Sequence, residues 1–308
     1  MIVIGKLGWL FSKIAGYWRD PVLFLRILLV RFGKCLPDRL YLQWLYRLRM
    51  GKKLDLDNPK TFNEKLQWLK LYNRKPEYTI MADKVKVKEW VAERIGEEYI
   101  IPTLGVWERV EDIDFDQLPD RFVLKCNHNS GTGMYICKEK SKMDRVAVVR
   151  ELKKGLSENY FLHGREWVYK DIPRRVIAEQ FMEDPQADDL TDYKFFCFQG
   201  KPFMMYVSKD HAQQAYTDFY DMDYNRLPIR MKDPNSENPP AKPVKFEEMK
   251  ALACKLSQGT PHLRVDFYVV NHRIYFGELT FYHNGGLGPI SPLEWNLRLG
   301  SMIDLELE

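Results

Sequence analysis

The chain has 308 residues, of which 45% are hydrophobic, 29% charged and 14% aromatic. These proportions exclude disorder, collagen and coiled coil for the chain as a whole, and they allow one large or two ordinary domains. With 47 basic against 43 acidic residues the net charge is only +4, which gives no argument for a nucleic-acid partner.

The charge is unevenly spread. Residues 1–53 carry eleven Lys/Arg against Asp20 and Asp38 alone, and Trp9, Phe11, Trp18, Phe24, Phe32 and Trp44 lie among them. The apolar runs 22–25 and 27–30 are interrupted by Arg26 and Arg31, far short of the ~18–20 residues that span a bilayer. No basic start precedes a small-residue cleavage site, so a signal peptide is not expected. Two readings remain open: an amphipathic segment (residues 1–50) in peripheral contact with an anionic membrane, or two helices packed on the main domain with a solvated basic face.

Asp57-Asn58-Pro59-Lys60-Thr61 breaks the chain before Phe62, Leu66 and Leu69, whose spacing predicts a helix over residues 62–71. A second helix is expected over 81–95, and Pro102 and Gly105 frame a short strand. Strands follow at 122–126 and 134–137, joined by a Gly-rich turn, then a helix at 145–156 and a buried-type strand at 176–181. Residues 193–198, 203–207 and 217–220 read as successive antiparallel strands. Residues 233–243 contain four prolines and form a long loop, either a lid or a plain surface excursion. A helix at 246–257, strands at 263–270 and 273–279, and a Gly-rich tail loop complete the order. The five cysteines, Cys35, Cys126, Cys137, Cys197 and Cys254, are widely spaced without a CxxC and read as buried free thiols of a reducing cytoplasm.

Four clusters can carry chemistry. In Lys125-Cys126-Asn127-His128-Asn129-Ser130-Gly131-Thr132-Gly133, glycines between two strands let backbone N–H groups approach phosphate oxygens, and Lys125 adds a point charge. No helix opens after it, so it is not a P-loop. An ordinary glycine hairpin with a surface lysine fits the same residues. The strand ending in Glu179-Gln180-Phe181-Met182-Glu183-Asp184 leaves its sheet, freeing backbone groups to read an adenine edge, or simply enters a polar turn. Asp192 and Lys194, two apart on a strand, share one face. Arg264 and Asp266 share a face of the next-to-last strand, with Glu278 on the last. A three-residue turn, Asn271-His272-Arg273, places Asp266 opposite Glu278, and a two-residue turn does not. Two such carboxylates need a positive charge between them, which suits Mg²⁺ on nucleotide phosphates, with Arg264 near a developing oxyanion.

In their order, these clusters resemble the ATP-grasp superfamily. With Pro59-Lys60-Thr61-Phe62-Asn63-Glu64-Lys65, Ala82-Asp83-Lys84, Asp192-Tyr193-Lys194-Phe195-Phe196 and Phe276-Gly277-Glu278-Leu279-Thr280-Phe281, the chain is similar to the TupA-like ATP-grasp family of bacterial polysaccharide clusters over residues 55–300. The resemblance implies an α+β ATP-grasp fold: a basic helical segment (1–53), a first lobe with the Gly-rich hairpin (54–178) and a second lobe with the metal site (179–308), the two lobes clasping ATP. It implies that Lys84 and Lys125 contact the phosphates, covered by Ser130, Gly131 and Gly133. Glu179, Gln180, Phe181 and Met182 would form the adenine hinge. Asp192 would reach the ribose, and Lys194 the phosphates or acceptor. Asp266 and Glu278 would hold Mg²⁺, with Arg264 beside the reacting carbonyl. Where the superfamily commonly has Glu-x-Asn, this chain has Thr280; either Asn284 is the substitute ligand or a second Mg²⁺ is weakly held, which leaves one or two ions open.

The implied activity is an ATP-dependent carboxylate–amine ligase working through an acyl phosphate. Family context implies an acidic saccharide or sugar nucleotide as one partner, such as a uronic acid, an amino acid or amine as the other, and a place at the cytoplasmic side of the membrane. His128 reads as an acceptor-side base or, alternatively, as a turn-stabilising residue. Competing readings are a glycosyltransferase using Asp221-Met222-Asp223 as a DxD metal motif, a sugar kinase on the same ATP site, and a non-catalytic scaffold with a decayed site.

Overall fold

The computed structural model describes residues 21–183, 190–210 and 215–305. The N-terminal part of the basic segment and Asp184 lie outside the described residues. Helix α1 (Pro21–Phe32) buries no residue, and Val22, Phe24, Leu25, Ile27 and Phe32 are exposed. Helix α2 (Asp38–Met50) buries Tyr41, Leu42, Leu45 and Tyr46 along one stripe, against Leu54 and Leu56. It ends at Gly51 in the left-handed conformation (φ 68°), the usual C-terminal stop. Arg165 fastens this pair to the body. Fully buried, it lies 4.2 Å over the Tyr41 ring, donates to Gly33 O (2.9 Å) and pairs with Asp38 (3.2 Å).

Helix α3 (Phe62–Tyr72) starts with a capping box: Thr61 Oγ1 accepts from Glu64 N, and Glu64 Oε2 accepts from Thr61 N. The single helix expected over 81–95 is instead two, α4 (Pro76–Ala82) and α5 (Lys86–Ile95). Buried Asp83 breaks it by accepting from Val85 N, from Asn127 Nδ2 (2.8 Å) and from Arg175 (2.9 Å). A buried carboxylate must satisfy its acceptors, and that demand overrides the apolar periodicity.

The first sheet has antiparallel order β1-β4-β2-β3, from β1 (Thr103–Trp107), β2 (Phe122–Cys126), β3 (Met134–Cys137) and β4 (Val176–Gln180). Phe122, Leu124, Cys137, Val176 and Ala178 face α6 (Arg145–Ser157), whose Val148 and Leu152 complete the core. Alternation turns Val123, Lys125, Ile177 and Glu179 to the opposite face. A one-turn α7 (Phe161–Gly164) leads back towards β4.

The second sheet has order β10-β9-β5-β6-β7-β8 and is antiparallel throughout. Its strands are β5 (Asp192–Phe198), β6 (Lys201–Asp210), β7 (Ala215–Asp221), β8 (Arg226–Leu227), β9 (His262–Val270) and β10 (Arg273–Thr280). Helix α8 (Phe246–Leu256) packs on β5, β6 and β9. Helix α9 (Leu293–Ser301) meets α3 almost backbone to backbone: a Cβ on Gly300 would sit 2.2 Å from Lys60 O. Residues 62–91 share their hydrophobic core with residues 195–303, whereas the first sheet's core draws on residues 110–178 alone. The α3–α5 helices are therefore a platform for the larger sheet, although they precede the smaller one in sequence.

The proline-rich stretch 233–243 has no helix or strand, but it is fastened down. Asn235 Nδ2 donates to Thr217 O and Ile229 O, and Tyr224 OH donates to Ala241 O. Among the described residues no helix is long and apolar enough to cross a membrane.

Candidate active site

The β9–β10 turn has two residues, Asn271 and His272, both at positive φ, in place of the expected three. A two-residue turn alone would set Asp266 opposite Gly277. A bulge between Phe276 and Glu278 shifts the register by one, so Glu278 does face Asp266. The strand swallows the extra residue at Gly277, where a Cβ would press on the Tyr268 ring (3.0 Å) and Asp266 O (3.1 Å).

The charge between the two carboxylates is Arg264. Its Nε and Nη2 clasp Asp266 (2.7 and 2.6 Å), and the same Nη2 reaches Glu278 Oε1 (2.6 Å). Lys194 bonds Asp266 Oδ2 (2.6 Å) and Asp192 Oδ2 (3.0 Å) from β5. Burial alone would raise the Asp266 carboxyl, but Arg264 and Lys194 hold it below its ordinary value. Asp192 lacks such a clasp, and burial pushes it up to about 6. The side chain of Glu278 is 45% exposed, while that of Asp266 is shut in.

Beside this cluster is an open cleft lined by Lys84, Lys88, Lys125, Tyr169, Glu179, Phe276, Gly277 and Glu278. Glu179 anchors two of its lysines, Lys125 (2.5 Å) and Lys88 (2.7 Å). Burial opposes its charge, yet the two lysines hold its carboxyl below the ordinary range. Lys84 leaves the α4–α5 break set by Asp83 and donates to Asn129 O (2.5 Å), which ties it to the Gly-rich turn. That turn is held to α6: Gly133 N donates to Glu151, Asn129 Nδ2 to Glu158, and His128 Nε2 meets Glu158 O at 3.1 Å. His128 thus helps fasten the turn, with its Nδ1 buried and without a hydrogen-bond partner among the described residues. Gly131 (φ 85°) and Gly133 (φ 70°) adopt left-handed backbone, and a Cβ at Gly133 would strike Cys126 Sγ at 2.5 Å.

The structure thus brings Lys84, Lys125, Glu179 and Glu278 to one cleft, with Arg264, Lys194, Asp192 and Asp266 joined to Glu278 by a chain of ion pairs. Ser130, Gly131 and Gly133 form the turn above Lys84. Gln180, Phe181 and Met182 continue from β4, with Phe181 under the Arg121 guanidinium (4.4 Å). Asn284 follows His283 in the loop after β10. Its side-chain amide meets His283 Nε2 (3.1 Å), and Arg264 meets the other ring nitrogen, Nδ1 (3.0 Å). Sequence reasoning missed Lys88, Tyr169 and His283. Lys88 could have been found, since it lies one helical turn beyond Lys84. Nothing local marked the other two.

Among the described residues no group of three His, Cys, Asp or Glu side chains could hold a metal ion. Two hard carboxylates do suit Mg²⁺ shared with a phosphate, since the phosphate oxygens would complete its shell. The Asp192, Lys194, Arg264, Asp266 and Glu278 cluster has three acids against two bases, and Asp192 Oδ1 is buried with no hydrogen-bond partner among the described residues. Both features fit a bound cation and hydroxyl. The DxD pair is otherwise engaged: Asp221 accepts from Asp223 N, Asn225 N and Asn225 Nδ2, closing the β7–β8 turn.

Two antiparallel sheets beside a lysine-lined cleft, which the carboxylate–arginine cluster reaches through Glu278, define an α+β nucleotide-clasping architecture. The chain belongs to the TupA-like ATPgrasp family, matching it over residues 64–304. No curated protein matches it. Among solved structures, the D-alanine–D-alanine ligase of Bacillus anthracis is 17% identical, with 66% of this chain and 57% of that one covered and a TM-score of 0.40. The Helicobacter pylori D-alanine–D-alanine ligase is 12% identical (79% and 69% covered, TM-score 0.42). D-cycloserine synthetase DcsG is 15% identical (76% and 72% covered, TM-score 0.43). The chain spans less than two thirds of the length of the first of these.

Proposed function

We propose that this protein is an ADP-forming carboxylate–amine ligase. The observation that carries the reading is Glu278, which lines a cleft with Lys84, Lys88 and Lys125 and is joined through Arg264 to the buried Asp266. In this mechanism a substrate carboxylate oxygen attacks the γ-phosphorus of ATP, and ADP leaves. The amine then attacks the carbonyl carbon of the acyl phosphate and phosphate leaves, giving the amide. Lys84 and Lys125 bind phosphate oxygens, and Asp192 takes a ribose hydroxyl. Arg264 and Lys194 offset charge on the reacting carbonyl. Mg²⁺, held by Asp266 and Glu278, would supply further neutralisation of the phosphates. Residues 179–182 frame the adenine, and the turn at Ser130, Gly131 and Gly133 excludes water from the acyl phosphate.

The family context supports an acidic saccharide of a surface polysaccharide, such as a uronic acid, as the carboxylate, and an amino acid or amine as its partner. Helix α1 supports work at an anionic membrane: five exposed apolar side chains flank Arg26 and Arg31 on a helix with no fully buried residue, while Leu29 packs on the α2 core. Replacing Leu25 and Ile27 by Glu should abolish sedimentation with anionic liposomes, and unchanged sedimentation refutes the membrane role.

The test of the ligase reading is calorimetric titration of ATP with and without Mg²⁺, alongside UDP-sugars. Mg²⁺-dependent ATP binding weakened by Glu278→Gln is the expected result. Binding of a UDP-sugar alone, indifferent to Glu278, overturns it.

A further inference from the structure

Asn127 is fully buried where the break between α4 and α5, the end of β2 and the lead-in to β4 meet. Every polar atom it has is engaged. Its N–H donates to Arg175 O (3.0 Å), and its carbonyl accepts from Lys84 N (3.2 Å). Oδ1 accepts from Arg175 N (2.7 Å), and Nδ2 donates to Asp83 Oδ1 (2.8 Å) and Pro173 O (2.9 Å). A backbone N–H only donates, and a carboxylate and a carbonyl only accept, so the amide can stand in no other orientation. Asp83, also buried, completes the knot by accepting from Arg175 Nη2 (2.9 Å) and Val85 N (2.9 Å). Asp83, Asn127 and Arg175 do not line the cleft.

The knot carries two of the cleft's lysines. Lys84 directly follows Asp83, and Lys125 lies two residues before Asn127. Burial lowers the Lys84 ammonium below its ordinary value and the Lys125 charge lowers it further, with Glu278 offsetting part of the drop. Lys125 is compensated by Glu179 (2.5 Å). Lys84 has no carboxylate within ion-pair distance among the described residues, and its ammonium donates to Asn129 O (2.5 Å). A flexible lysine beside a like charge gains by swinging into solvent. Here its backbone N–H is bound to Asn127 and its ammonium to the Gly-rich turn, so unpaired positive charge stays near Lys125. Charge fixed in advance binds an oligophosphate without a further cost of ordering.

We propose that Asn127 and Asp83 are positioning residues for the nucleotide phosphates, acting through Lys84 by holding it and the Gly-rich turn in place against Lys125. This rests on the reading above that both lysines bind phosphate. Neither residue touches the nucleotide, so their effect should appear only in ligands that carry the outer phosphates.

The test titrates ATP·Mg²⁺ and AMP by calorimetry into the full chain and into Asn127→Ala, Lys84→Gln and the double variant, with thermal unfolding of each. Asn127→Ala should lower ATP affinity about tenfold and leave AMP affinity within about twofold. In the Lys84→Gln background the same change should move ATP affinity less than about twofold, because the group it acts through is gone. Equal losses for ATP and AMP, a full loss that persists without Lys84, or unchanged ATP affinity in a folded Asn127→Ala each overturn the positioning role and spare the ligase reading. Should Asn127→Ala fail to fold, Arg175→Met decides by the same cycle: it removes one bond to Asp83 at the partly exposed edge of the knot, and an ATP-selective loss of about threefold is expected. Failure of the wild-type chain to bind ATP overturns the ligase reading itself.

Discussion

Asp266 and Glu278 are both candidate metal ligands, yet their substitution should cost very different amounts of stability. Asp266 is fully buried and accepts three charge-assisted hydrogen bonds, two from Arg264 and one from Lys194. In Asp266→Asn those two largely buried cations lose the carboxylate between them and keep only Glu278 and Asp192 on their outer sides, and breaking a buried ion pair in this way costs about 3–5 kcal/mol. Glu278 is partly solvated and shares a single guanidinium nitrogen with Asp266. In Glu278→Gln, Arg264 keeps its Asp266 clasp, so the loss should be at most about 1 kcal/mol. Both variants should lose Mg²⁺-dependent ATP binding. Urea unfolding monitored by tryptophan fluorescence, with a parallel nucleotide titration, separates the two effects. An Asp266→Asn variant within about 1 kcal/mol of wild type, or a Glu278→Gln variant as unstable as Asp266→Asn, would refute the reading of the cluster as a buried charge lattice with one solvated corner.

Glu179→Ala strands Lys88 and Lys125, and should cost about 2–4 kcal/mol of stability and weaken ATP binding; thermal unfolding and calorimetry report both, and unchanged ATP affinity would show that these lysines do not hold phosphate. His262 is buried among Phe62, Phe196 and Phe198, and burial brings it down to about 3. The unfolded chain takes up a proton near pH 6.5 that the folded chain refuses, so this stability is present above pH 6.5 and is lost as pH falls towards 3. Between pH 6 and 5 the wild type should lose about 1 kcal/mol per unit through this residue, and His262→Gln should flatten that slope in urea midpoints taken at both pH values.

Strand-forming residues, glycines, chain breaks and helical spacing are local signals, and they were legible in the chain itself. β2 and β3 fall at the residues marked on either side of the glycines, and α3 begins after the Asp57–Thr61 break, where the Phe62, Leu66 and Leu69 spacing starts. The order of the lysines, the Asp-x-Lys pair and the Arg-x-Asp…Glu hairpin was enough to indicate the family. The hairpin register was not legible, because turn length and bulge act together: only the strand pairing shows that Gly277 absorbs the extra residue and restores the facing of Asp266 and Glu278. The break at Asp83 depends on Asn127 and Arg175, partners far away in sequence. The same holds for Arg165 on Tyr41, for the shared anchoring of Lys88 and Lys125 by Glu179, and for His283 against Arg264. Each is a buried charged or polar group whose partner arrives from another element. Periodicity registers which face a side chain takes. Which opposite charge or lone pair meets it there is decided by the packing of the two sheets and the helices beneath them.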